Sequence, residues 1–590
     1  MRRYFYLILG CCLSVFAQAE NAVYQEVNYT IDPDLLTAEV VLTPQASGEL
    51  YIPEEITVGQ ETYRVTAIGD KAFKGCKNLT AIVLPKTIER VYRSAFDGTG
   101  IMLDKTNWTN GALYIDSCLI ATDKTIKGKF IIPEGTRLIA AGAFQGNKTL
   151  TRVEFPTTVR RIDHETFRDC KNLTRAIIPQ TITEIGEDAF TNSGIWNNEK
   201  KWKKGGLYID GCLIAVNDDV PAKFVFKNKI PTRLIAAGAF SNNKKIKSVM
   251  IPATVSAIPN AAFYKCENLT DVTIPASVKQ VGNFAFYGCK LLREATLPTD
   301  IATLGMGAFY GCENLRKQVL SDKLTIIPQG CFYLCRSIQR LTLPEGLRKI
   351  DNGAFTGCSS LEDMKFPATL QEIGEMAFAG CAKFVEVTIP EQVINLNNGV
   401  FTGCTHLRKV VLPEGTYAIG DEAFKGCVTL ERINIPKSTF RIGKSAFQNC
   451  QQLRGIYLAD HIHIIEEGAF QECKMLEDIV LPASLTVLSQ GVLAQCVSLR
   501  TIKFNQRLRA IEDGALYECR QLREITLPDS VQTIGEEAFM NCKNLRKVVL
   551  PEGLKKIGAS AFKDCESLMV PYYPATAIVG KNAFKGCKNR

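Results

Sequence analysis

Residues Cys266 to Phe286 read CENLTDVTIPASVKQVGNFAF, and one unit of the chain is contained in that stretch. Leu269, Val272 and Ile274 alternate with polar residues, as in a short strand with one buried face. Pro275 has no N–H to give to a ladder and ends the strand. Val278 and Val281 then point inward from a second short extended segment. Gly282 permits a turn, and 283–289 leaves room for one or two helical turns at most.

The same pattern recurs along the chain. Phe73, Phe96, Phe144, Phe167, Phe190 and Phe240 mark its first appearances. From Phe240 to Phe470 each step is 23 residues; Leu493, Leu516, Phe539, Phe562 and Phe584 continue the series to twenty-one positions. A unit that exposes an apolar face it cannot cover alone must stack on its neighbours. The expected fold is therefore an α/β repeat solenoid, mostly β. It is a ribbon with a parallel sheet of short strands (row one), second short extended segments (row two) and single helical turns, at a 23-residue period. The Ala before each Phe leaves room for the rings to stack along the core.

Two islands interrupt the period, near 99–128 and 194–226. One carries Leu113-Tyr114-Ile115-Asp116-Ser117-Cys118-Leu119-Ile120, the other Leu207-Tyr208-Ile209-Asp210-Gly211-Cys212-Leu213-Ile214. Alternating apolar residues about Asp-Ser and Asp-Gly suggest a hairpin, standing on the solenoid or paired to its edge. Residues 20–62 read as an N-terminal β cap and 63–590 as the repeats. Pro571 and Pro574 disturb the last row-one segment and would blunt pairing there.

Residues 1–19 read as a signal peptide: Arg2 and Arg3, an apolar run from Tyr4 to Phe16, then Ala17-Gln18-Ala19 before Glu20. Cleavage at Gly10-Cys11, which would make Cys11 a lipid anchor, is the rival. The expected location is outside the cell, at its surface or secreted. No later run is long and apolar enough to span a bilayer. The net charge of +9 becomes +7 once Arg2 and Arg3 are removed, with acids interspersed throughout. Nucleic acid is not implied.

Of 22 cysteines, 17 hold one repeat position, from Cys76 to Cys587, while Cys118 and Cys212 lie in the islands and Cys331 is extra. Thr99, Asn147, Ser193 and Asn243 replace Cys at that position, so a small side chain is what it needs. The reading is buried thiols, with a Cys331–Cys335 bridge as the alternative. His461 and His463 would share one face of an extended segment, a metal-capable spacing, against the plainer reading of variable surface positions. No Ser/His/Asp arrangement, phosphate loop or paired-carboxylate site stands out, so no enzyme activity, metal or cofactor is expected.

The unit L-x-x-[VI]-x-[IL]-P-x-x-[VI]-x-x-[IV]-G-x-x-A-F-x-x-C resembles the BspA-type, or Treponema pallidum-type, leucine-rich repeats. The resemblance implies a surface protein that binds proteins or glycans, with host extracellular-matrix proteins such as fibronectin and fibrinogen among the partners. The alternative is a structural scaffold of the bacterial envelope. The outward positions of row one form the candidate surface: Arg293, Arg316, Lys317, Arg340, Lys365, Arg408, Lys409, Tyr457, Lys503, Arg546 and Lys547.

Overall fold

A computed structural model describes residues 20–33, 35–226 and 231–588. The expected signal peptide, with Cys11, and Arg590 lie outside these. The chain forms two compact units, Met1–Cys266 and Glu267–Arg590. It is a mostly-β solenoid of parallel strands.

The second unit is the more regular. Row one contributes strands such as Glu386–Thr388 and Lys409–Val411, paired in parallel with Glu386 opposite Lys409. Row two contributes two-residue strands such as Asn395–Leu396 and Ala418–Ile419. The 23-residue offset in both registers makes every coil a copy of the last. Phe286, Phe309, Phe332 and Phe355 are fully buried, with successive ring centroids 5.2–5.5 Å apart and nearly parallel. Ala285 and Ala308, beside the rings, are also fully buried.

The segment after row two is not helical. Residues 283–288 form linked turns, because Phe284 (φ +55°) and Gly288 (φ +68°) are left-handed. A non-glycine residue there costs about 1–2 kcal/mol, and one such residue already breaks a helix. The compensation is a third ladder along the stack. The N–H groups of Phe284, Phe286 and Gly288 donate to the carbonyls of Met306, Ala308 and Tyr310 at 2.8, 2.8 and 2.7 Å. A helix would have turned those donors onto its own carbonyls.

The template glycine is also used differently from the expectation of a turn residue. At Gly420 an added Cβ would lie 2.6 Å from the Leu396 carbonyl oxygen of the preceding coil, and no left-handed φ is involved. Close approach of two backbones, not conformational freedom, selects glycine there.

In the first unit Glu20–Tyr24, Val27–Asp32 and Thr37–Val40 form an antiparallel meander. Its last strand pairs in parallel with Glu61–Ile68, which in turn pairs with row two at Arg90–Val91. Each island is an antiparallel hairpin, Ala112–Ile115 with Cys118–Thr122 and Gly206–Ile209 with Cys212–Val216. Both tips use two left-handed residues, Asp116-Ser117 and Asp210-Gly211, as a tight hairpin requires. The hairpins are built into the stack: Cys118 and Cys212 pair in parallel with Leu138 and Leu234 of row two. Asp116 and Asp210 accept from the N–H of Leu84 and Ile178, 2.7 and 2.8 Å away. Arg137 and Arg233 each reach two carbonyls of the preceding coil. At the far end the Met569 segment keeps one bridge, to Lys588.

Candidate binding surface

Row one of the second unit fixes the candidate residues. Leu292, Ala295 and Leu297 point inward and are buried, so the residues between them must point out. Parallel bridges align Asp271, Glu294, Lys317 and Arg340 in one column. The column resumes as Glu386, Lys409 and Arg432, and again as Glu524 and Lys547. All eleven candidates are exposed, Tyr457 at 70%.

The charges are unevenly paired. Arg340 meets Glu362 at 3.0 Å and Lys409 meets Glu386 at 3.3 Å. Among the described residues Arg293, Arg316, Lys317, Lys365, Arg408, Lys503, Arg546 and Lys547 form no ion pair. Lys317 and Arg340 are like charges in direct register, which sheet pairing alone would disfavour. Val319, Val411, Tyr457 and Val480 add exposed apolar surface to the same row. A shallow groove of about 480 Å³ on the same row is lined by Asp271, Thr273, Glu294 and Thr296, and by none of the eleven candidates.

Row two carries a feature missed in the sequence. Tyr417 stacks on Phe440 at 5.5 Å and 4°, and Phe440 on His463 at 4.7 Å and 20°. The spacing of 23 residues between these three aromatic positions was the available signal. His463 Nδ1 lies 2.7 Å from the His461 carbonyl oxygen, and His461 sits in the turn before the row. Among the described residues no three His, Cys, Asp or Glu side chains converge as a metal site.

The cysteine ladder is likewise more than a small-residue column. Cys312, Cys404 and Cys473 each donate Sγ–H to a Phe carbonyl 26 residues earlier, at 3.2–3.3 Å. The substitutes keep a donor at the site: Thr99 donates to Phe96 O, and Asn147 and Asn243 to Asp123 O and Asn217 O. All twenty described cysteines, Cys331 and Cys335 included, are free thiols. Burial pushes the Cys404 thiol up to about 12 and those of Cys118 and Cys212 to about 11. Such thiols are poor nucleophiles.

Similar folds occur among solved structures. A leucine rich cell surface protein from Faecalibacterium prausnitzii A2-165 is 22% identical over 75% of this chain and 95% of that one, with a TM-score of 0.31. A leucine-rich repeat protein from Bacteroides ovatus is 20% identical over 95% and 98%, at 0.25. The leucine rich repeat protein of T. pallidum is 29% identical over 31% and 78%, at 0.24. A search of curated proteins gave no match. The model of the BspA type leucine rich repeat region matches residues 54–125, 122–198, 233–345, 325–454 and 463–590. With the period, the three ladders and this match in agreement, the chain belongs to the BspA-type leucine-rich-repeat family.

Proposed function

We propose that this chain is an exported surface protein that binds other macromolecules through row one of its second unit, with host matrix proteins as the leading partner class. The observation that carries the reading is the set of row-one cations without ion-pair partners, beside exposed Tyr457 and valines. Unpaired cations retain their attraction for an acidic partner, and aromatic residues and Arg are the types that anchor interfaces. The family supports a protein-binding role, and no helix of the described residues is long and apolar enough to cross a membrane.

The test is binding of the purified chain to immobilised fibronectin, fibrinogen and a glycan panel. The fourfold variant Arg316→Glu, Lys317→Glu, Arg546→Glu, Lys547→Glu is run beside it. Micromolar binding that the variant loses, and that weakens with salt, supports the proposal. Binding to none of the host ligands, with capture only of proteins or polysaccharide from the cell's own envelope, replaces it with a scaffolding role.

A further inference from the structure

The second island opens a break in the turn ladder of the first unit. One coil earlier the ladder is complete: the N–H groups of Glu165, Phe167 and Asp169 donate to the carbonyls of Glu187, Ala189 and Thr191 at 3.1, 2.7 and 3.0 Å. In the next coil the equivalent donors are the N–H groups of Asp188, Phe190 and Asn192. Their equivalent acceptors, beyond the island, are the carbonyls of Ala237, Ala239 and Ser241. The two sets do not meet, although the two coils touch at one end of the gap, where Ala237 N–H donates to Ile185 O at 2.8 Å. Ala239 O is taken by Val216 N–H at 2.8 Å; the three N–H groups and the carbonyls of Ala237 and Ser241 have no partner among the described residues.

Between these walls lies a cavity of about 560 Å³, lined by Asp188, Phe190, Ala237 and Ser241 among others. Phe190 is fully buried, so an unmet donor on its backbone carries a desolvation cost. The first island repeats the arrangement. Thr122 N–H takes Ala143 O, while the N–H groups of Ser94, Phe96 and Gly98 and the carbonyls of Ala141 and Gln145 have no partner among the described residues. A break made twice by two copies of one sequence pattern is part of the fold.

Charge narrows the occupant. Glu165, Asp169 and Asp188 line the cavity against Arg93 and Arg168. Both arginines are already engaged, Arg93 with Glu165 at 2.7 Å and Arg168 with Glu165 and Asp188. An anion would meet an acidic excess.

We propose that this cleft binds an extended segment of a partner polypeptide carrying a basic side chain, its main chain supplying the missing rung of the ladder. Its carbonyls accept from Asp188 and Phe190, and its N–H groups donate to Ala237 and Ser241. This is strand addition inside a solenoid, in which main-chain bonds give affinity and side chains give selectivity. It does not depend on the row-one surface.

The test uses the full exported chain and a displayed library of random nonapeptides. The expected result is selection of Lys- or Arg-containing peptides that slow amide hydrogen exchange across 186–193. N-methylation of alternate peptide amides, which removes the donors to Ala237 and Ser241, is expected to weaken binding at least tenfold. Ser241→Trp, which fills the cleft, is expected to do the same, while the row-one fourfold variant leaves binding unchanged. Should Ser241→Trp fail to fold, the N-methylated peptides and the exchange pattern decide. No selected peptide at 100 μM, protection elsewhere, or equal binding of the N-methylated peptides would overturn the proposal.

Discussion

Cys404 Sγ donates to the carbonyl oxygen of Phe378 at 3.3 Å, and that oxygen also accepts from Cys381 N–H at 3.1 Å. The thiol thus ties one coil to the next in the middle of the core. Cys404→Ser keeps a donor of similar size; Cys404→Val fills the volume and leaves a carbonyl lone pair unmet. The expected cost is about 1 kcal/mol for Ser and about 2 kcal/mol or more for Val. Urea denaturation of the two variants measures it, and Val equal to or better than Ser would contradict the role of the bond.

The same thiols set an alkaline limit. Cys404 titrates near 12 in the folded chain against 9.0 for a free thiol. From about pH 9 upward the unfolded chain sheds protons that the folded chain retains. Stability therefore falls as pH rises through 9 to 12, and is unaffected by these thiols below 9. Melting temperatures recorded under reductant from pH 7 to 11 should begin to drop near 9. A flat profile to 11 is the contrary result.

Gly420→Ala places a methyl against the Leu396 carbonyl at 2.6 Å, and backbone cannot step aside as a side chain can. A loss of about 2–4 kcal/mol is expected. Ala at Gly455, where an added Cβ meets nothing within 4 Å, provides the control and should change stability by less than about 1 kcal/mol. Equal melting temperatures for the two variants would refute the close-approach reading.

Phe440 is stacked on both faces, by Tyr417 and His463. Phe440→Ala is expected to cost about 2–3 kcal/mol, less than a fully buried Phe because one edge is open. Tyr417→Ala, at the 52% exposed end of the stack, should cost less than half as much. The ordering, read from thermal melts, is the check.

The period made most of the fold legible. Leu269, Val272, Ile274 and Pro275 specify row one because strand alternation and a missing N–H act locally. The turn ladder was legible only in part: Gly307, Gly330, Gly353 and Gly399 recur at the position of Phe284 and mark it as left-handed, whereas the carbonyl that each turn N–H meets is set by the stacking of the next coil. Cysteine donation was recoverable: Thr99, Asn147, Ser193 and Asn243 share a donor as well as small size. The candidate surface was legible as outward positions, whereas which of its charges go unpaired depends on rotamers. The cleft beside Asp188 and Ala237 was hidden, because a break in pairing leaves no residue pattern at its walls.

Within each unit the third ladder runs along the stacking direction, so a pull along that direction loads the bonds of one coil at a time. Stacks loaded this way unpeel at low force instead of shearing as a block. Each released coil of 23 residues yields up to about 80 Å of extended chain. A binding face carried on such a stack would lengthen under flow before letting go. Force–extension traces should show evenly spaced steps of coil size, whereas one abrupt rupture would show that the coils fail together.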